Sequence, residues 1–196
     1  MSGQYRPPLA SWRAIILHRP HPSADAVLRQ LERLRVEARC VWPALEPGDD
    51  GVDVVFFDAD MGFDGQFPWP AGHAPMPLIA LIGSEAPGRV EWALAQGSNA
   101  HLLKPVGSTG VYSALLIAAH AFETARAQAD DIRSLQDRLR QRPTVVRAVF
   151  KLMTEERLDD AAALKQLRAL AMDWRLTIEQ AAERVCENQA RADRSA

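Results

Sequence analysis

The sequence predicts a doubly wound parallel α/β domain, followed by a long helix and a small three-helix unit. Short apolar runs without polar alternation, typical of strands buried on both faces, recur through the first half of the chain. Longer segments separate these runs, as the crossover connections of a parallel sheet require. No strand pattern follows Gly110, where apolar residues take up helical spacing instead.

Four runs are predicted as strands, and a fifth strand is expected near Cys40. They cover residues 14–17, 40–42, 52–57, 78–82 and 100–103. Helical spacing of apolar residues over 27–36 places a helix after the first strand. Because the carboxyl ends of parallel strands meet at one crevice, the polar residues that follow them are the first site candidates. These are His18, Arg19, Asp58, Asp60, Ser84 and Lys104.

The next segment carries apolar and small residues at alternating three- and four-residue spacing. The predicted seam contains Ala118, Ala121, Ala125, Gln128, Ile132, Leu135, Leu139, Arg142 and Val146. Its strongest part, Ile132, Leu135 and Leu139, is expected to form a homodimeric coiled coil, because residues 123–142 are too polar to be buried on several faces. The alternative is one surface helix packed on its own domain. Pro143 is expected to interrupt or kink the helix.

Three short helices are predicted beyond Pro143. They cover residues 145–153, 159–172 and 177–186. Asp159 is the expected N-cap of the second, while Thr177 and Gln180 have the spacing of a capping box on the third. The predicted domains are therefore residues 1–122, a linker helix over 123–142, and a helical domain over 143–190.

The composition of the chain limits the classes of function that it can have. With 196 residues, a net charge of −2 and a pI near 6.2, the whole surface cannot be a polyanion binder, so a nucleic-acid site must be a local basic face. The two cysteines and five histidines lack metal-ligand spacing, and no phosphate loop or nucleophile-base pair is visible. We expect no enzyme activity, metal or cofactor. With no export signal or membrane span recognised, we expect a cytoplasmic protein whose histidines lie on surfaces or loops.

Two stretches resemble the receiver domains of response regulators. Residues 53–58 with 61–65 are similar to the third strand and following loop of that family, and residues 97–105 to its fifth strand with a Lys-Pro pair. The resemblance implies a five-stranded, flavodoxin-like fold over about 13–122. It places the phosphoacceptor at Asp58 and the partner lysine at Lys104.

Several functional positions of the receiver family are changed here. The acidic residues that hold a divalent cation are replaced by His18 and Arg19, while Ile82 and His101 stand at the hydroxyl and aromatic switch positions. We expect Asp58 and Lys104 to pair as a structural remnant, with Arg19 in the space a metal would need. The domain is then a pseudoreceiver that docks a partner. The alternative is a phosphorylation-switched response regulator that uses Asp58.

Residues 142–185 resemble the ANTAR domain, the RNA-binding module of AmiR/NasR-type transcription antitermination regulators. The matching positions are Arg142, Val145, Ala148, Leu152, Met153, Ala163, Leu164, Leu167, Arg168, Ala171, Met172, Ile178 and Ala182. The family's Ala-Lys pair is Ala148-Val149 here, and Phe150 replaces a usually small residue. The resemblance implies a dimer that binds hairpins in leader mRNA and so prevents a terminator from forming.

Five residues are predicted to contact RNA, since cations hold phosphates and planar side chains stack on splayed bases. They are Arg147, Lys151, Arg168, Trp174 and Arg175. Trp174 could equally close the helical bundle, and the arginines could form an ordinary solvated face. The function predicted is a dimeric antiterminator controlled by a sequestering sensor protein rather than by phosphate. A scaffold without a nucleic-acid role is the remaining alternative.

Overall fold

The computed structural model describes residues 9–49 and 51–192. A 3-10 turn, Leu9–Ser11, precedes the first strand. The strands are β1 Arg13–Leu17, β2 Glu37–Val41, β3 Val54–Asp58, β4 Leu78–Ile82 and β5 Ala100–Leu103. The helices are α1 Pro22–Arg33, α2 Pro87–Ala95, α3 Val111–Glu156, α4 Asp160–Trp174 and α5 Ile178–Ala192. The chain divides into two compact units at Arg126 and Ala127.

The five strands form one parallel sheet in the order β2-β1-β3-β4-β5. This is the flavodoxin-like order of doubly wound sheets, so the predicted fold class is confirmed. Strands β3 and β4 are buried along their whole length. Their continuous apolar sequences, interrupted only by Asp58, follow from burial on both faces.

One face of the sheet packs against helices. Successive side chains of a strand point to opposite faces, so Ile16, Phe56 and Ile79 share this side. Leu31 of α1 and Leu115 of α3 close the core over them. The first turns of α3 therefore belong to the sheet domain.

The other face is covered mainly by irregular chain. Leu45, Phe67 and Met76 pack there with α2 against the remaining strand residues. The segments between these strands have the expected helix length, but residues 59–77 and the described part of 42–53 contain no helix, so helices do not wrap this face throughout. Prolines explain the difference, since they remove helical hydrogen bonds and clash with the preceding turn. They are Pro43, Pro47, Pro68, Pro70, Pro75 and Pro77.

The second unit contains the predicted small helical bundle. Ala148 and Leu152 of α3 pack with residues of α4 and α5 such as Leu167 and Ala182. The predicted cap of α4 is confirmed, because the Asp159 carboxylate accepts from the backbone N–H of Ala162 at 2.7 Å.

The predicted capping box is also confirmed. The Thr177 hydroxyl accepts from the Gln180 N–H at 3.2 Å, and the Gln180 side chain accepts from the Thr177 N–H at 3.0 Å. The two reciprocal bonds satisfy backbone donors that α5 leaves open at its start.

Helix α3 runs through Pro143, so of the two expectations, an interruption or a kink, the interruption is wrong. The helix predicted over 145–153 is its last part, so the bundle shares one helix with the linker. Proline has no N–H, and the carbonyl of Leu139 therefore lacks its usual helical donor at this point. Among the described residues, no helix is long and apolar enough to cross a membrane.

Candidate functional site

A buried polar cluster lies at the carboxyl ends of the strands. His18 directly follows β1, Asp58 ends β3, and Lys104 directly follows β5. Parallel strands bring these ends together, as the sequence predicts. Asp58 and His18 are only 1% and 2% exposed. Because burial of polar groups costs free energy unless they are hydrogen-bonded, the fold depends on the partners of these two side chains.

Lys104 is held between two carboxylates. Its Nζ lies 2.7 Å from Asp58 Oδ1 and 2.7 Å from Asp60 Oδ2. The Asp58–Lys104 pair expected from the sequence is thus present, and Asp60 joins it. Asp60 also accepts from the backbone N–H groups of Gly83 at 2.8 Å and Ser84 at 3.0 Å. These bonds tie the ends of β3, β4 and β5 together.

His18, not Arg19, fills the space beside Asp58. The His18 Nε2 lies 3.2 Å from Asp58 Oδ2, and its ring stacks on His21 at 5.2 Å between centroids. Arg19 is exposed, so the expectation that its guanidinium occupies this space is wrong. The expectation that His18 lies on a surface or loop fails as well. An imidazole can be buried neutral, whereas a guanidinium would carry its charge into the core.

The hydrogen bonds fix the tautomer of His18. Its Nδ1 lies 2.8 Å from the Arg19 carbonyl, which only accepts, so Nδ1 carries a proton. Nε2 lies between two neighbours, 3.2 Å from Asp58 Oδ2 and 3.4 Å from Lys104 Nζ. Burial lowers the pKa of His18, and the Arg19 and Asp58 interactions only partly offset this. The ring is therefore neutral at neutral pH.

The Asp60 carboxyl is held in its ionised form. Burial acts to raise its pKa, but the hydrogen bonds from Lys104, Ser84 and Gly83 outweigh burial and lower the pKa below its usual value. A carboxylate with three donors, one of them the Lys104 ammonium, has little capacity left for another ligand.

The cluster does not fit a divalent cation. Magnesium needs several free oxygen ligands. Here the Lys104 ammonium already bridges the carboxylates of Asp58 and Asp60, and the His18 imidazole lies beside Asp58. In the part of the chain that the structure describes, no three His, Cys, Asp or Glu residues are grouped to hold a metal. At the two other changed positions, Ile82 is buried and His101 is exposed.

The residues predicted to contact RNA differ in how accessible they are. Arg147, Arg168 and Arg175 are exposed on α3, on α4 and at the end of α4. Arg175 has φ 54°, the left-handed conformation that ends many helices. Lys151 is hydrogen-bonded within the bundle, because its Nζ donates to the Val185 carbonyl at 2.5 Å.

Trp174 is half-buried against the bundle core. The guanidinium carbon of Arg184 lies 4.7 Å from the centroid of its ring, in cation-π contact. The bundle-closing position considered for Trp174 is therefore what the structure shows. The contact with Arg184 is hidden in the sequence, since the two residues lie on different helices.

The predicted seam is only partly open to solvent: Ala118 is buried in the core of the sheet domain and Ala121 is partly buried, whereas the seam residues from Ala125 to Val146 are exposed. Ile132, Leu135 and Leu139 are each between 53% and 58% exposed. Every residue from 123 to 140 is exposed, so the alternative of a surface helix packed on its own domain is wrong.

Comparison with known families assigns the sheet domain. Residues 12–119 match the family described as AmiR, N-terminal, which is more than half of the chain. The chain belongs to the AmiR N-terminal family. Residues 133–185 match a second family, the ANTAR domain. The AmiR N-terminal domain thus contains the His18, Asp58 and Lys104 cluster, and the ANTAR domain contains the exposed arginines.

Two curated relatives are regulatory proteins by name. The aliphatic amidase regulator of Pseudomonas aeruginosa is 25% identical over 187 residues, covering 94% of this chain and 95% of that protein. The transcriptional regulatory protein PdtaR of Mycobacterium tuberculosis is 31% identical over 111 residues. That match covers 57% of this chain and only about half, 54%, of PdtaR.

Solved structures with some similarity include receiver domains. The receiver domain of a modulated diguanylate cyclase from Desulfovibrio desulfuricans G20 is 16% identical with a TM-score of 0.45, covering 59% of this chain and 98% of that chain. The chemotaxis response regulator CheY4 of Vibrio cholerae is 15% identical with a TM-score of 0.42, covering 54% and 96%.

Proposed function

We propose that this chain is a cytoplasmic RNA-binding transcription antiterminator that acts as a dimer under the control of a protein partner. The ANTAR match over residues 133–185, with its exposed arginines, is the observation that carries the proposal. The names of both curated relatives, a transcriptional regulatory protein and an amidase regulator, agree with a regulatory function.

We assign three functional parts to the chain. Residues 1–122 form the partner-docking pseudoreceiver, residues 123–142 the dimer helix, and residues 143–190 the RNA-binding domain. The family matches at 12–119 and 133–185 support this division. Because α3 spans all three parts, their boundaries lie within a helix rather than in loops.

RNA is bound by the exposed cations of the ANTAR domain. Arg147, Arg168 and Arg175 are available for the phosphates and bases of a leader hairpin, whereas Lys151 is bonded to the Val185 carbonyl. Trp174 is only partly exposed and already carries Arg184 over its ring, so we assign it to positioning of the neighbouring Arg175.

Arg175→Gly tests this assignment with little effect on folding. Glycine favours the left-handed conformation of residue 175, so stability should hold or rise while RNA affinity falls about tenfold. Arg157→Gly is a matched control, because Arg157 has the same φ of 54° and loses the same charge outside the predicted RNA set. An equal loss of RNA affinity in both variants would show a general charge effect and contradict a specific role for Arg175.

The dimer is supported by the exposure of residues 123–140. A solitary helix of this polarity is marginal in water unless a partner covers its apolar stripe. Ile132, Leu135 and Leu139 provide that stripe. A dimer also presents two RNA-binding domains, so that binding of one hairpin raises the effective concentration for the second.

Control by a protein partner is supported by the closed cluster at Asp58. Transfer of a phosphoryl group to a carboxylate needs a cation to neutralise charge, and here Lys104 and His18 already surround Asp58. The regulatory input must then act on the surface of the domain, and a ligand-sensing protein that sequesters the chain fits this arrangement.

Phosphorylation of Asp58 is the second candidate, favoured by the retained Asp58–Lys104 pair. Incubation of the full chain with acetyl phosphate and magnesium, followed by intact mass measurement, separates the two. We expect no added phosphoryl group. A mass increase in the natural chain that disappears in Asp58→Asn would establish the phosphorylation switch instead.

A further inference from the structure

We propose that the dimer interface continues past Pro143 into the ANTAR domain, where Val146 and Phe150 of α3 contact a second copy of this chain. This inference rests on the dimer of the proposed function; it carries the predicted seam, which ends at Val146, onward to Phe150. The consequence is that dimerisation and the RNA-binding domain are joined through the same helix face.

The first observation is an exposed apolar stripe on α3 within the second unit, in which Arg142 and Pro143, both exposed, lie between Leu139 and Val146. Ile132, Leu135, Leu139, Val146 and Phe150 are between 52% and 61% exposed. At about 100° per residue these five side chains fall within an arc of about 60°, over a helix length of roughly 27 Å. Each is large and apolar, so they form one surface rather than scattered contacts.

The opposite face of the same turns is already in use. Ala148 and Leu152 are buried in the bundle with α4 and α5. Ala148 lies about 180° from the direction of the stripe, so the bundle cannot cover Val146 and Phe150 from that side. The last turns of α3 therefore have two apolar faces, and only one of them is covered within the chain.

The area of the stripe favours a second copy that covers all five residues. Each side chain offers on the order of 100 Å² of exposed apolar surface. Over two copies, Ile132, Leu135 and Leu139 alone would bury about 600 Å², short of the roughly 1,000 Å² of a specific interface. Including Val146 and Phe150 brings the buried area to about 1,000 Å².

The composition of the stripe argues for protein rather than RNA at Phe150. One turn before Phe150 on the same face is Val146, and one turn after it is Thr154. Arg147 lies about 60° from Phe150 around the helix, at the edge of this surface. An RNA-stacking aromatic is normally set among cations that hold the phosphates, whereas Phe150 continues an apolar row.

Phe150→Gln in the full chain tests the proposal. Sedimentation equilibrium without RNA should show dimerisation weakened about tenfold or more, as for a central aromatic of an interface. Met172→Gln is the matched control, because Met172 is a large exposed apolar residue, 80% accessible, on α4 of the same unit. The control should change dimerisation less than about twofold, and far-UV circular dichroism should show that both variants keep their helices.

The other outcomes distinguish a failure of this inference from a failure of the proposed dimer. If Leu135→Gln weakens the dimer and Phe150→Gln does not, the interface ends before Pro143, and this inference fails while the proposed dimer stands. If Phe150→Gln lowers RNA affinity without changing dimerisation, Phe150 faces RNA and the inference also fails. A natural chain that stays monomeric at all concentrations would overturn the proposed dimer itself.

Discussion

The ammonium of Lys104 bridges the carboxylates of Asp58 and Asp60 at the edge of the sheet. Asp58 is almost completely buried, so removal of its cation leaves a desolvated charge without compensation. We expect Lys104→Met to lower the free energy of unfolding by about 3 kcal/mol in urea titrations. Arg39→Met, which breaks the more exposed ion pair with Asp49, should cost less than about 1 kcal/mol. Equal losses of unfolding free energy in both variants would show that the buried cluster stabilises the fold no more than an exposed ion pair does.

His18 gives the fold a dependence on pH. Its pKa is lowered in the folded protein, mainly by burial, while Asp58 raises it and Lys104 and His21 lower it. The unfolded chain therefore binds a proton more readily, and stability falls as the pH drops below the ordinary value of 6.5.

His18→Gln should flatten this part of the stability profile, whereas His73→Gln, in an exposed loop, should leave it unchanged. The measurement is the free energy of unfolding by urea at a series of pH values. An unchanged slope below pH 6.5 in His18→Gln would contradict the assignment of the titration to this ring.

At the scale of elements, α3 contains one evident weak point. Pro143 leaves the Leu139 carbonyl without a helical donor, although the helix continues on both sides. We expect Pro143→Ala to stabilise the helical unit by up to about 3 kcal/mol, seen as a higher thermal transition in far-UV circular dichroism. Pro87→Ala is the control, because Pro87 occupies the first turn of α2, where proline is tolerated. No gain at Pro143 would mean that the helix bends to accommodate its ring.

The strands and helix caps could be predicted because local chemistry decides them. The apolar run Val54–Phe57 is buried on both faces, and Thr177 with Gln180 bonds only within its own helix start. The irregular cover over residues 59–77 was missed because a crossover was expected to form a helix, although its prolines already indicated otherwise.

The candidate site was predicted only in part. Sequence placed Asp58 and Lys104 together, but it assigned the neighbouring position to Arg19 rather than His18. Which of two adjacent residues turns inward depends on tertiary packing and on the cost of burying its charge. The bond from Lys151 to Val185 likewise joins distant positions that no spacing rule connects.

At the scale of the whole molecule, a sheet domain with a closed polar cluster and a helical ANTAR domain share one helix of 46 residues. The AmiR N-terminal and ANTAR matches cover its two ends. In the function proposed here, a partner that binds the sheet domain controls the dimer, and the dimer presents two RNA-binding faces. The salt dependence of RNA binding should then reflect only a few arginine contacts, because the chain as a whole is slightly acidic.

The most direct test is a binding titration of the full chain against the leader RNA of its own operon and the equivalent duplex DNA at two salt concentrations. The account predicts RNA binding that requires the hairpin loops and weakens with salt at a log-log slope of about −2 to −3 for each RNA-binding face. It also predicts that the duplex binds far more weakly. Tight, sequence-specific binding to the duplex with no affinity for the RNA would contradict the account.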